Sequence, residues 1–177
     1  DSDMEIKHRV EMVQAAFMKY ENIFRNKDIQ LSLRMRYARC YVWSMLLHLV
    51  ESLTMKVNAI KKIEAFEMWT YRRLLSIPWT DRVTNEEVLR RMKKQRELLT
   101  NIKKRKTAYL GHILRNEKYK ILQLILEGKI EGKRGIGRKQ MSWTRNIRQW
   151  TGLKRIGELV STARDKQLFK NVFANIQ

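Results

Sequence analysis

Apolar residues in the first part of the chain recur with helical spacing. Ile6, Val10, Val13, Phe17, Tyr20 and Phe24 stand three or four apart, which places them on one stripe of a helix. Ser2 or Asp3 suits the start of that helix as a cap, and Arg25-Asn26-Lys27-Asp28 ends it. A second helix is predicted over residues 32–52. Its middle, from Cys40 to Val50, is apolar almost all round, the pattern of a helix buried on several sides, with Cys40 buried in it. Tyr41 to Val50 taken alone also fits a strand, but its flanks are helical. A third helix covers residues 56–76, with Ile60, Ile63, Phe66, Tyr71 and Leu74 near one face and Trp69 beside it.

Pro78 interrupts the pattern and pushes Ile77 before it towards an extended form. Thr84-Asn85-Glu86-Glu87 then has the form of a capping box, with Thr84 as cap and Glu87 three residues on. Residues 77–83 are therefore expected to link two lobes, 1–76 and 84–177. In the second lobe Val88, Leu89 and Met92 follow the cap. Leu98, Leu99, Ile102, Leu110, Ile113 and Leu114 line one or two helices. Residues 121–126 make a short apolar helix, and residues 141–150 another, with Gly152 as a left-handed stop. A last helix spans residues 156–176. The predicted fold is all-α, a two-lobed bundle of about seven helices. One proline and seven glycines in 177 residues fit that reading better than a turn-rich β fold.

Charge changes this picture most. Lys and Arg number 38 against 18 acidic residues, a formal net charge of +20. So large an excess repels itself in the compact state, and a polyanion relieves it. Nucleic acid, an anionic membrane face and an acidic protein all qualify. Residues 82–148 hold twenty of the cations and only six acids, +14 net. A charge run of this kind is most often a solvated helix face, but two features point further. Lys103, Lys104, Arg105 and Lys106 are consecutive and would cover every side of a helical turn, where phosphates neutralise them with release of counterions. Downstream, Gly128, Gly132, Gly135 and Gly137 are interleaved with Lys129, Lys133, Arg134, Arg138 and Lys139. Glycines let backbone N–H groups converge on an anion, and the cations add fixed charge. Arg115 joins this set of candidate nucleic-acid contacts. Trp143 close behind the loop could stack on a base, but a tryptophan opening an amphipathic helix is more often core. Base-edge readers are not visible, so binding is expected to be sequence-nonspecific.

Catalytic chemistry is absent from the pattern. The aspartates Asp1, Asp3, Asp28, Asp81 and Asp165 are scattered, where a two-metal polymerase or nuclease site clusters them. His8, His48 and His112 are far apart and lack a second ligand at metal spacing. Ser44 has no glycine elbow, and no phosphate-binding P-loop or cofactor loop occurs. A single cysteine forms no intramolecular disulfide and suits a reducing compartment. No apolar run of spanning length occurs, and Asp1-Ser2-Asp3 does not resemble a signal peptide. The expectation is no catalytic residue, metal or cofactor, no membrane partner, and an intracellular location, nuclear or cytoplasmic. The run at residues 103–106 would also serve as a nuclear signal, though such runs are weak markers.

Several blocks carry a family resemblance in order along nearly the whole chain. They are Tyr41-Val42-Trp43-Ser44-Met45-Leu46-Leu47, Ile63-Glu64-Ala65-Phe66-Glu67-Met68-Trp69-Thr70-Tyr71-Arg72-Arg73-Leu74-Leu75, and Ile77-Pro78-Trp79-Thr80-Asp81-Arg82-Val83 running into the capping box. Tyr109-Leu110-Gly111-His112-Ile113-Leu114-Arg115 and the glycine-rich stretch before Trp143 continue the series. Together they resemble the C-terminal region of non-LTR (LINE-type) retrotransposon endonuclease–reverse transcriptases, a family common in insects. The resemblance implies a thumb-like first lobe and a basic C-terminal lobe that grip template and primer, RNA or DNA. It also implies that the paired aspartates of the polymerase palm lie upstream of this chain. His48-Leu49, Leu53 and Lys139 depart from the family's usual tyrosine-glycine, tryptophan and proline, as in a decayed or reused copy. Two other readings stay open: part of an active RNA-directed DNA polymerase, and an inert retroelement relic.

Overall fold

A computed structural model describes residues 2–132, 141–174 and 176. Among them there is no strand, and the chain is all-α. It divides into two compact units. The first comprises Asp1–Val50 and Lys56–Leu99, the second Glu51–Met55 and Thr100–Gln177. The division falls later in the chain than the expected linker at 77–83, and a five-residue strip from the middle of the first lobe belongs to the second unit.

In the first unit the long helices expected near the N-terminus are broken into shorter ones. Helix α1 (Ser2–Lys19) gives way at Tyr20 to α2 (Glu21–Arg25). The second predicted helix is α3 (Leu31–Ala38), a π-helical turn (Arg39–Trp43) and α4 (Ser44–Leu47). The π turn buries Val42 and Trp43 but leaves Tyr41 outward, stacked on Tyr37 at 4.3 Å. Cys40 is exposed, contrary to expectation, because the turn rotates it off the core face. Met45 and Leu49 are exposed as well, so this stretch is buried on one side only. Helix α5 (Val57–Leu74) matches its prediction and supplies Ile63, Phe66, Tyr71 and Leu74 to the core. Phe17 stacks on Phe24 at 4.2 Å and meets Trp69 edge-on at 5.1 Å.

Two buried charged side chains hold helix ends in this unit. Arg34 donates to the carbonyls of Phe24 (2.9 Å), Ile29 (2.9 Å) and Leu74 (2.7 Å). It thereby satisfies carbonyls that the ends of α2 and α5 leave without intrahelical partners. Helix α6 (Asn85–Met92) starts as predicted: Thr84 Oγ1 accepts from the Glu87 N–H at 3.3 Å. The Glu87 carboxylate pairs with Arg90 and Arg91 at 2.7 Å each. Glu67, fully buried, accepts at Oε1 from the N–H groups of Glu97 (2.8 Å) and Leu98 (3.0 Å) and from the Tyr71 hydroxyl (2.8 Å). It is the cap of α7 (Leu98–Arg115).

The second unit holds most of α7, then α8 (Lys120–Glu127), α9 (Trp143–Thr151), α10 (Ile156–Arg164) and α11 (Lys166–Ala174). Leu110, Leu114, Ile147, Leu159, Ala163 and Phe169 form its core. Gly152 ends α9 at φ +74°, the left-handed stop its position implied. The single predicted C-terminal helix is two. Asp165 breaks it, and its Oδ1 accepts from the N–H groups of Gln167 (2.8 Å) and Leu168 (3.0 Å), capping α11. Asn146 on α9 fixes the strip 51–55 to this unit, donating to Met55 O (2.7 Å) while its Oδ1 accepts from Met55 N (2.8 Å).

Candidate nucleic-acid interface

The four-cation run lies on α7, and helical geometry turns its members to different sides. Lys106 is 0% exposed. Its ammonium donates to Leu53 O (2.7 Å) and Asn146 Oδ1 (3.0 Å) and lies 5.2 and 5.5 Å from the ring centres of Trp143 and Trp150. Burial pushes its pKa down to about 7. Lys106 is therefore a structural residue and not the phosphate contact its sequence position implied: carbonyl oxygens and indole faces already surround its charge. Arg105 pairs with Glu51 at 3.0 Å. Lys103 and Lys104 are half-buried.

Of the glycine-rich stretch, Lys129 is exposed and pairs with Glu127 at 2.5 Å. Lys133, Arg134, Arg138 and Lys139 lie outside the described residues. Trp143 takes the core role: it packs against the second unit's core and donates from Nε1 to Glu51 O at 2.7 Å.

Arg115 is where the candidate set meets new partners. It lines a hollow of about 700 Å³ together with His112, Asn116, Glu117, Lys118 and Lys166. A second hollow of about 660 Å³ shares Arg115 and Lys166 and adds Lys170 and Asp165. The guanidinium is held in place, donating to Ala163 O at 2.5 Å above the Phe169 ring. Gly111 permits this: a Cβ there would come within 2.8 Å of both Arg115 and Phe169. Lys118 sits on the 3-10 turn that follows α7, and Lys166 and Lys170 on α11. Arg115 and Lys118 are close in sequence, but Lys166 and Lys170 come from α11, far along the chain, so the convergence of the two pairs has no signature in sequence.

A second cluster lies in the first unit. Arg25, Trp69, Arg72, Arg73, Pro78 and Trp79 line a cleft of about 550 Å³. Trp79 is 93% exposed. In sequence it falls in the expected linker, 77–83, where nothing marks it for a role.

Among the described residues no cluster of His, Cys, Asp or Glu is suited to a metal ion. No helix among them is long and apolar enough to cross a membrane. Compared with protein-family models, with curated proteins and with solved structures, the chain matches none.

Proposed function

We propose that this chain is a nucleic-acid-binding piece of a retrotransposon reverse transcriptase, gripping template and primer through phosphates without reading sequence. The observation that carries the reading is the convergence of Arg115, Lys118, Lys166 and Lys170 on two hollows that share Arg115 and Lys166. They lie in a unit with nineteen Lys or Arg against six acids, +13 net. Phosphate oxygens suit such a surface, since each neutralised phosphate releases condensed counterions. The sequence blocks quoted above supply the polymerase ancestry, in which the catalytic palm belongs to an upstream domain and this piece contributes none of the chemistry.

The test is binding to duplex DNA, RNA–DNA hybrid and single strands across a salt series. A triple variant, Lys118→Ala, Lys166→Ala and Lys170→Ala, spares Arg115 and its packing. Salt-steep binding is expected for the wild type. In the variant, with an unchanged circular dichroism spectrum, the slope of log affinity against log salt on duplex should fall by roughly 2 to 3. A folded wild type that binds none of these at low salt overturns the reading. A preference for the hybrid supports the polymerase ancestry.

A further inference from the structure

We infer that the cleft at the end of α5 is a stacking site for an unpaired nucleotide, with Trp79 as the platform and the neighbouring arginines as its phosphate contacts. The inference rests on the nucleic-acid reading above but uses a different unit and different residues.

Three observations converge on it. The first is the presentation of Trp79. Its indole is almost wholly in water, yet the turn that carries it is tied at both ends. At one end Ser76 N and Ile77 N close the C-terminus of α5 on the carbonyls of Arg73 (3.0 Å) and Arg72 (2.9 Å). At the other, the Arg72 guanidinium donates to Val83 O (2.8 Å) and Asn85 Oδ1 (2.9 Å). Between them Trp79–Asp81 forms a 3-10 turn begun by Pro78, with Arg82 N on Trp79 O at 3.3 Å. A freely mobile loop needs none of these ties.

The second is backbone strain. Ser76 (φ +54°) and Arg82 (φ +47°) are both left-handed and neither is glycine. Both are helix stops, Ser76 after α5 and Arg82 after the 3-10 turn, and a side chain makes the left-handed form costly there. Here they bracket Trp79.

The third is the chemistry of the walls. Among the described residues Arg25, Arg72 and Arg73 line the cleft, and no carboxylate does. Glu21 engages one nitrogen of Arg25 (3.2 Å) and one of Arg73 (3.0 Å). A guanidinium carries five N–H donors, so both keep donors for an anion. Arg73 also lies over the Trp69 ring at 5.1 Å, which fixes its plane. An open aromatic face beside oriented guanidinium groups matches a base joined to a phosphate. The volume of about 550 Å³ lies within the roughly 300–1,000 Å³ range of small-ligand clefts. Bases inside a duplex are stacked on each other and hide their faces, so the ligand is a single strand or a frayed end.

The experiment compares wild type, Trp79→Ala and Trp79→Phe on a 5′-phosphorylated thymidine tetranucleotide, on a longer oligothymidylate and on duplex DNA. Titration with the tetranucleotide should quench tryptophan emission more in the wild type than in Trp79→Phe, which keeps only Trp69 in the cleft wall. Trp79→Ala should lose about tenfold in affinity for the single strands, Trp79→Phe should lose less, and duplex affinity should stay within about twofold. Equal single-strand affinity in wild type and Trp79→Ala overturns the stacking site and leaves the basic grip standing. A dimer that Trp79→Ala makes monomeric, with single-strand binding unchanged, also overturns it and makes the cleft a protein contact. A wild type that binds no nucleic acid of any kind removes both readings.

Discussion

As a base buried in the second unit, Lys106 has its pKa pushed down to about 7 from the ordinary 10.5. Between those two values the unfolded chain binds more protons than the folded one, so stability rises with pH across that window and is lowest, and level, below it. The melting temperature is expected to climb between pH 7 and 9.5, and to climb less in Lys106→Met; equal slopes in the two proteins would contradict this. Glu67 has the opposite sign. Burial raises its pKa above the ordinary 4.5, against the lowering effect of the hydrogen bonds from Glu97, Leu98 and Tyr71. The folded chain then binds the extra proton, and stability falls as pH rises from the ordinary value through the raised one. Glu67→Gln should flatten that fall in denaturant titrations while keeping an acceptor for the α7 cap. In sequence Lys106 belongs to a basic run that suits phosphates, and Glu67 has no assigned role. What buries them is chain 30 or more residues away, at Glu97 for Glu67 and at Leu53 for Lys106, and periodicity carries no such information.

At the scale of elements, the legible features were those whose cause is local. Thr84 before α6, Gly152 after α9 and the apolar face of α5 each depend on a few adjacent residues. The breaks at Tyr20, at the π turn and at Asp165 were not foreseen, since an apolar stripe continues through all three while the backbone bonding changes. The first class gives a direct test. Thr84→Ala should lower stability by about 1 kcal/mol and Thr84→Ser should restore it, measured by urea unfolding. Helix α8 shows the limit of pattern reading from the other side. Ile121, Leu122, Leu124 and Ile125 look like core in sequence, yet all four are exposed, Ile121 at 72%. Ile121→Lys is therefore expected to change stability by less than about 0.5 kcal/mol, where the same change at Ile147, fully buried in the second unit, would prevent folding. A large loss at Ile121 in a thermal melt would mean that α8 is covered in solution.

For the whole molecule, the net charge of +20 was legible at once and its arrangement was not. The excess lies in the second half of the chain, but on α7, where the cations are consecutive, Lys106 turns inward and Arg105 meets Glu51. The surface cations that do converge, Lys118, Lys166 and Lys170 around Arg115, come from two separate stretches of sequence that meet only through folding. The same charge sets two salt dependences of opposite sign. Added salt screens self-repulsion in the compact state, so the free protein should become more stable between 50 mM and 500 mM salt. Nucleic-acid affinity should fall steeply over the same range, because counterions no longer gain much by release. Bound oligonucleotide adds stability through its preference for the folded state, so the rise in melting temperature that it causes should be largest at low salt and vanish at high salt. Differential scanning fluorimetry with and without a 20-mer duplex across this range tests both trends together. Free and mixed samples that melt alike at every salt concentration would show that the excess charge is a solubility feature and that no polyanion engages the fold. Convergence of the two curves only at high salt would show that the charge which strains the free fold is the charge that binds.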